Sequence, residues 1–258
     1  MIPPIEGLGR AALYVVGELG RFTSFGAEVA RATLRPPLRV RLILDNLFAI
    51  GVRSLSVVCA SAVVVGLALG LQLYHTLTRF GAEAQMGAVI GISLIREFGP
   101  VISALLVTGR AGSAVAAEIG SMVQTEQLDG LRMMSVDPIE YVVSPKALAL
   151  LGVMPLLSAL FIVIAIAAAY IHGVTVLGLD GGAFLASLES AVEFHEDVAG
   201  SLLKSTLFGA LIGWVATYRG FTSAPTSEGV SFATTQTVVI ASVGTLALDY
   251  FVNAFWGV

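Results

Sequence analysis

ISLIREFGPVISALLV, residues 91–106, is apolar enough to lie in a bilayer, yet it carries Arg96, Glu97 and Pro100. A charged side chain at the centre of a membrane helix costs about 2.5 to 3.5 kcal/mol, so each charge needs a partner or water. Adjacent helical residues diverge by about 100°, which predicts that at least one of the two charges reaches another helix or a cavity. A buried pair that only fixes helix packing is the alternative interpretation.

Pro100 adds a second expectation for this stretch. Proline has no N–H to donate and its ring crowds the carbonyl of the residue four positions earlier, here Arg96. The sequence therefore predicts a kink that frees a backbone acceptor beside the charges.

The composition of the whole chain is that of a helical membrane protein. Its 258 residues are 56% hydrophobic and only 12% charged, whereas soluble domains average about 25% charged residues. Apolar runs of about 20 residues suffice to cross a bilayer as helices. We therefore predict an all-α polytopic protein with a single domain, residues 1–258. Its five spans are predicted at about 50–76, 85–115, 147–174, 198–218 and 232–256.

Residues 5–37 have a different pattern, with charged and apolar positions on opposite sides of a helix. The charged set is Arg10, Glu18, Arg21, Glu28, Arg31 and Arg35, and the apolar set is Leu8, Leu19, Phe22, Phe25 and Val29. The pattern predicts an amphipathic helix in the headgroup plane, ended by Pro36 and Pro37. The alternative is an ordinary amphipathic helix packed on other protein.

The loop charges predict the orientation. Eleven basic residues can lie on one side: seven arginines up to the start of the first span, and Arg110, Arg132, Lys146 and Arg219. The other side receives Arg79 alone, and the loop at 175–197 contains no Lys or Arg. Cationic loops stay in the cytoplasm, which predicts a cytoplasmic N-terminus and a C-terminus on the outer side of the membrane.

Two further charges lie inside predicted spans. Lys204 and Asp249 are at comparable depth in the fourth and fifth spans, so a salt bridge between them is plausible. The alternatives are a Lys204 side chain that snorkels to the interface and an Asp249 that only bonds neighbouring helices.

The segment at 109–138 is too polar to span and too rich in helix formers for a linker. Its polar interruption at Thr125, Glu126, Gln127 and Asp129 predicts a helix, a turn and a second helix. We interpret about 116–135 as a docking surface, with a structural hairpin that covers the bundle as the alternative.

Several chemistries are excluded by missing motifs. The chain contains no GxxxxGK[ST], HExxH or GxSxG, and His75, His172 and His195 are isolated. Cys59 is the only cysteine, which excludes an intrachain disulfide. If ATP drives this protein, another subunit must hydrolyse it.

The stretches at 94–146, 202–214, 224–239 and 247–251 together resemble the MlaE (YrbE-type) permease family, the membrane subunits of lipid-transporting ABC complexes. The resemblance implies a homodimer in a bacterial inner membrane with a cytoplasmic coupling helix between the second and third spans. It implies a phospholipid substrate, moved between the inner and outer membranes, and a contribution to outer-membrane lipid asymmetry. The resemblance implies no nucleic-acid partner.

The resemblance also implies protein partners. These are a cytoplasmic ABC ATPase (MlaF-like) that binds ATP and Mg, an MCE-domain ring (MlaD-like) and a STAS-domain protein (MlaB-like), with no cofactor in this chain. Carried over by position, Arg96, Glu97, Lys204 and Asp249 are candidate lipid-cavity residues. The candidate ATPase-coupling residues are Glu118, Thr125, Glu126, Gln127 and Asp129.

A mechanism follows as a hypothesis: two permeases enclose an outward-facing cavity, Arg96 or Lys204 attracts the lipid phosphate, and Glu97 compensates the charge. Two readings from other classes stand beside it. One is a stand-alone proton-coupled carrier that uses Glu97 and Asp249 as proton sites. The other is a membrane enzyme acting on lipid, which the missing nucleophile and metal motifs disfavour.

Overall fold

The computed structural model describes residues 3–34 and 39–256, and helices occupy most of this length. In chain order they are α1 Pro3–Leu34, α2 Val40–Thr78, α3 Glu83–Gln124, α4 Gln127–Met133, α5 Ile139–Thr175, α6 Gly181–Ala191, α7 Phe194–Phe221 and α8 Ser227–Trp256. Among these, α2, α3, α5, α7 and α8 are long and apolar enough to cross a membrane. The all-α class and the five predicted spans are confirmed.

The spans are longer than the sequence predicts. Helix α2 begins at Val40 rather than near 50, and α3 continues to Gln124 rather than ending near 115. Charged residues such as Arg41 and Asp45 are disfavoured in lipid but are readily accommodated in an α-helix. A hydropathy pattern therefore marks the apolar part of a helix and not its ends. Helix α7 likewise begins at Phe194, four residues before the predicted span.

The long helices contain local widenings to π-helical geometry. Such turns lie at Leu94–Phe98 and Thr108–Gly112 in α3, and at the starts of α5 and α7. A π turn inserts one extra residue into the helix and changes the direction in which the following side chains point. The first of these turns contains Arg96 and Glu97, so the helix departs from α geometry directly before Pro100. The predicted kink itself stays a prediction.

Helix α5 is the centre of the bundle because small residues let two neighbours approach its backbone closely. A methyl group added at Gly66 of α2 would come 2.2 Å from the carbonyl oxygen of Ala165. On the other side, Gly209 of α7 would meet the carbonyl of Leu150 at 2.9 Å. This close backbone contact is the packing that small residues four apart favour in membrane helices.

Helix α1 lies on the bundle at its own C-terminal half. Phe25 and Val29 are buried in a cluster with Val143 and Tyr218. Leu13, Val16 and Leu19, one or more turns earlier, are exposed. The alternative of packing on protein is thus correct for the second half, while placement of the first half in the headgroup plane stays a prediction.

The charged side of α1 also contacts protein. Glu18 accepts hydrogen bonds from the Tyr218 hydroxyl at 3.1 Å and from Arg219 at 3.4 Å, and it pairs with Arg21 at 2.7 Å. Arg35, Pro36 and Pro37, and the side chains of Leu8 and Arg10, lie outside the described residues.

The segment between α3 and α5 forms the predicted helix, turn and second helix. Helix α3 ends at Gln124, Thr125 and Glu126 form the turn, and Glu126 adopts a left-handed backbone with φ of 57°. Helix α4 follows, anchored by buried Leu128. We call the side of the bundle that carries α1 and α4 the α4 end, and the opposite side, where α6 packs on α3, the α6 end.

The close contact at Gly66 makes a testable prediction for stability. Gly66→Ala should lower the free energy of unfolding by about 1 to 3 kcal/mol, because the added methyl group forces α2 away from α5. Gly109→Ala is the matched control, since nothing lies within 4 Å of a methyl group there. Thermal unfolding of the purified chain in detergent measures both variants. Equal melting temperatures would contradict the packing argument.

Candidate functional site

Five charged side chains from three spans meet in the half of the bundle nearer the α6 end. They are Arg96 and Glu97 of α3, Asp197 and Lys204 of α7, and Asp249 of α8. All four residues predicted to line a lipid cavity are among them. The cluster holds two cations and three carboxylates, so with every group ionised its net charge is one negative unit.

Lys204 is the central group of this cluster. Its side chain is only 4% exposed, and its ammonium donates to the carbonyl of Arg96 at 2.8 Å and to Glu97 at 3.3 Å. Asp249 lies 3.7 Å from the same nitrogen. The predicted Lys204–Asp249 ion pair is present, and the alternative of snorkelling to the interface is wrong, since the ammonium is surrounded by acceptors inside the bundle.

The bond from Lys204 to the Arg96 carbonyl follows from Pro100. In a regular helix the N–H of residue 100 would donate to that carbonyl, and proline has none. The acceptor is left free within a π turn, and the ammonium of Lys204 takes the place of the missing donor. The predicted free acceptor beside the charges is confirmed, with a cation from a different span as its partner.

Arg96 pairs with Asp197, a residue that the sequence analysis assigned to a loop. Its Nε donates to the Oδ1 of Asp197 at 2.5 Å, and the other oxygen of Asp197 accepts from the backbone N–H of Glu193 at 2.7 Å. The Asp197 side chain is fully buried, whereas that of Arg96 is 30% exposed. Both Arg96 and Glu97 therefore reach other helices, which exceeds the predicted minimum of one.

The interior of the cluster is small in this conformation. A cavity of about 10 Å³ lies among Arg96, Asp197, Ser201 and Lys204, close to the lower limit for a single water molecule. No headgroup fits within it. The most accessible members of the cluster are Arg96 and Glu97, whose side chains are 30% and 41% exposed.

The five predicted coupling residues divide into two groups. Thr125, Glu126, Gln127 and Asp129 are exposed at the tip of the α3–α4 hairpin. Glu118 lies further back on α3 and pairs at 2.7 Å with Lys146, whose side chain is only 9% exposed. Lys146 also lies 3.4 Å from the amide oxygen of Asn46, so this ion pair joins α3 to α5 and α2.

Sequence reasoning did not identify three features of these sites. Asp197 lies seven residues before Lys204, hence on the same face of α7, a spacing that was readable once the helix start was known. Lys146 was counted only as a loop charge. Met133 and Met134 were read as helix formers, yet they are 88% and 67% exposed at the end of α4.

The fold and the cluster together define the class of protein. Five apolar spans that enclose an ion-paired cluster, with an ordered hairpin at one end, define a polytopic helical membrane protein with a polar site inside its bundle. Residues 43–255 match the family model described as Permease MlaE. The chain belongs to the MlaE permease family.

Individual relatives agree with this assignment. The chain is 40% identical over 252 residues to the Haemophilus influenzae intermembrane phospholipid transport system permease protein MlaE, covering 97% of this chain and 96% of that protein. It is 37% identical to a probable ABC transporter permease protein of Rickettsia bellii, with 96% and 95% covered. It is 31% identical to the chloroplastic protein TRIGALACTOSYLDIACYLGLYCEROL 1 of Arabidopsis thaliana, with 89% and 65% covered.

The burial of Lys204 makes a second prediction. Lys204→Met should destabilise the chain by about 3 to 5 kcal/mol, because Glu97 and Asp249 lose their partner inside the bundle. Adding Asp249→Asn to Lys204→Met should recover about 0.5 to 3 kcal/mol relative to the sum of the two single changes. Unfolding of the three variants in detergent measures this coupling energy. Strict additivity would show that the two side chains do not interact.

Proposed function

We propose that this chain is the permease subunit of an ATP-driven phospholipid transporter in the inner membrane of a diderm bacterium. In this role it moves lipid between the inner and outer membranes and helps to maintain outer-membrane lipid asymmetry. The observation that carries the proposal is the end-to-end similarity to the Haemophilus protein, which is named for intermembrane phospholipid transport. The relatives are named as permeases of transport systems, among them ABC transporters, and none of these names favours the proton-carrier alternative.

The geometry of the cluster divides the headgroup role unequally. Lys204 is buried, donates to two acceptors and lies 3.7 Å from a third carboxylate oxygen, that of Asp249, so its role is to hold the spans together. Arg96 donates through Nε to Asp197, and its side chain is 30% exposed. A guanidinium in this position can bind a phosphate with two parallel hydrogen bonds. We therefore assign headgroup contact to Arg96 alone.

Helix α3 supplies the route by which ATP hydrolysis would act on the lipid site. It runs without a break from the charge cluster to Gln124 at the hairpin, a distance of about 40 Å at 1.5 Å per residue. The only interruption within it beyond the cluster is the π turn at Thr108–Gly112. A push on the hairpin would thus move the backbone that carries Arg96.

The hairpin tip has the character of a docking surface for a cytoplasmic ATPase. Two nearly bare methionines, Met133 and Met134, lie beside the exposed polar residues of the turn. Large apolar side chains at an end of the bundle that carries many arginines are expected to have a protein partner, and methionine adapts well to such contacts. ATP and Mg would be bound by that partner.

Helix α8 supports the homodimer. Its apolar stretch is only 11% buried, against 28 to 44% for the other spans. One strip of exposed side chains runs along α8, and it includes the polar residue Thr235. The strip consists of Thr235, Val239, Val243, Leu246 and Tyr250. A second copy of this helix would cover it. The MCE ring and the STAS-domain protein rest on the family resemblance alone.

The headgroup assignment is tested by lipid retention. Arg96→Gln should reduce phospholipid that co-purifies with the assembled complex by about tenfold, the effect of losing one hydrogen bond to a charged group. The double variant Arg96→Gln with Asp197→Asn should lose as much lipid, although it leaves no unpaired carboxylate. Arg79→Gln, at an exposed arginine outside the cluster, is the control. Full lipid retention in both Arg96 variants would reject the assignment.

The docking surface is tested by co-purification. Met133→Asp together with Glu126→Lys should abolish co-elution with an ABC ATPase co-expressed from the same organism, because a desolvated charge opposes the interface. Leu185→Asp is the control, since Leu185 is also exposed, at 50% against 88% for Met133, but lies on α6 at the opposite end. Undiminished ATPase binding by the first variant would place the docking surface elsewhere.

A further inference from the structure

A groove of about 460 Å³ separates α1 from the bundle at the α4 end. Helix α1 contributes Gly26, Val29, Ala30 and Thr33, and the opposite wall comes from α5 and α7. The volume falls within the range of about 300 to 1,000 Å³ that small-molecule pockets occupy. The groove is distinct from the charge cluster, because Trp214 in its wall lies ten residues, or about 15 Å, along α7 from Lys204.

The groove is held open by the packing of Trp214. Its indole ring stacks on Phe22 with centroids 4.4 Å apart, and its N–H donates to the carbonyl of Phe22 at 3.1 Å. Small residues in both walls, Ala30 of α1 and Ala210 one turn from Trp214 on α7, leave the space unfilled. The wall cannot turn into the groove without breaking both contacts, so the space is a fixed feature of the α1 docking site.

The two ends of the groove differ in polarity. Leu148, Leu151 and Ala210 line the part that runs into the apolar level of the bundle. At the other end the Thr33 and Ser144 hydroxyls lie 2.9 Å apart. Tyr141 lies one helical turn before Ser144, and the exposed guanidinium of Arg39 lies 4.6 Å above its ring. An apolar trough thus leads to hydroxyls and a cation.

The acidic side chains near α1 belong to a different surface. Glu28 and Arg31 project from the opposite side of the helix and line a polar pocket with Asp137 and Glu140. Gly26, Val29, Ala30 and Thr33 share the side that faces the groove. Among the described residues, a series of contacts connects the groove to a cation: Thr33 in its wall bonds Ser144, and Arg39 lies over Tyr141, three residues before Ser144. The positive charge of Arg39 complements a phosphate.

We propose that this groove binds an anionic phospholipid from the leaflet on the α4 side, with an acyl chain in the trough and the phosphate toward Arg39. The lipid fastens α1 to the bundle and is separate from the lipid that is transported. The exposure of Leu13, Val16 and Leu19 fits this proposal, since an amphipathic helix at the headgroup boundary buries such residues among the acyl chains.

Fluorescence of Trp214 tests the proposal directly. The chain has two tryptophans, so Trp256→Phe leaves Trp214 as the single reporter in the full-length chain. The protein is reconstituted into phosphatidylcholine vesicles that contain a minor fraction of phosphatidylglycerol with bromine atoms on its acyl chains. We expect quenching that saturates at a low fraction of this lipid. Brominated phosphatidylcholine at the same fraction should quench only in proportion to its amount.

Three variants separate a bound lipid from general contact with the bilayer. Ala210→Phe and Ala30→Phe fill the groove at open positions and should weaken apparent binding of the brominated phosphatidylglycerol about tenfold, the loss of about two buried methylene groups. Arg39→Gln should remove the preference for the anionic lipid. Ala159→Phe, the same change at an exposed alanine elsewhere on α5, should leave quenching unchanged.

Other outcomes would overturn the proposal. Equal, proportional quenching by both brominated lipids would mean bulk contact only. No quenching by either lipid would mean that protein, a second copy or a partner subunit, occupies the groove. These results leave the transport proposal standing, because Arg96→Gln is expected to alter lipid retention at the cluster and not the quenching of Trp214.

Discussion

The bundle depends on one buried ammonium group. Lys204 bonds the backbone of α3 at Arg96, the carboxylate of Glu97 and, less closely, Asp249 of α8. An unpaired ammonium in this position would be strongly unfavourable, so the three spans must meet in this arrangement or in another that offers as many acceptors. The free carbonyl that completes the set exists because Pro100 cannot donate. A helix irregularity and a buried cation therefore compensate each other.

The same constraint shapes the surroundings of the cluster. With Lys204 directed inward, Arg96 is left to pair with Asp197, and this carboxylate in turn accepts from the backbone at the start of α7. The guanidinium stays partly exposed because its partner lies to one side of it. The cluster thus combines a structural part, centred on Lys204, with an accessible part, centred on Arg96. This division is what the proposed lipid role requires of a site that must also hold the spans together.

Two kinds of contact connect the cluster to the α4 end. Helix α3 runs from the charges to the hairpin, and the Glu118–Lys146 ion pair joins its far end to α5. Close backbone packing at Gly66 and Gly209 holds α5 between its neighbours. Helix α1 stands apart from this core, attached through aromatic residues and with a groove beneath it. The groove and the exposed hairpin thus both lie at the end of the bundle that we assign to the ATPase.

The sequence by itself determined the class, the number of spans and the helix–turn–helix segment. These follow from local properties: apolar run length, helix propensity and polar interruptions act within one segment. It also predicted the acceptor freed by Pro100 and the Lys204–Asp249 pair, because depth in a span can be counted along the chain. The family resemblance added the expected partners and substrate.

The partners of the charges were decided only by the tertiary structure. Asp197 and Lys146 read as loop charges, and nothing local distinguishes a loop carboxylate from one in the first turn of a helix that another span covers. The exposure of Met133 and Met134 and the docking of Phe22 on Trp214 have the same origin. Each depends on which faces the other helices leave open, and the chain does not encode that choice in any single segment.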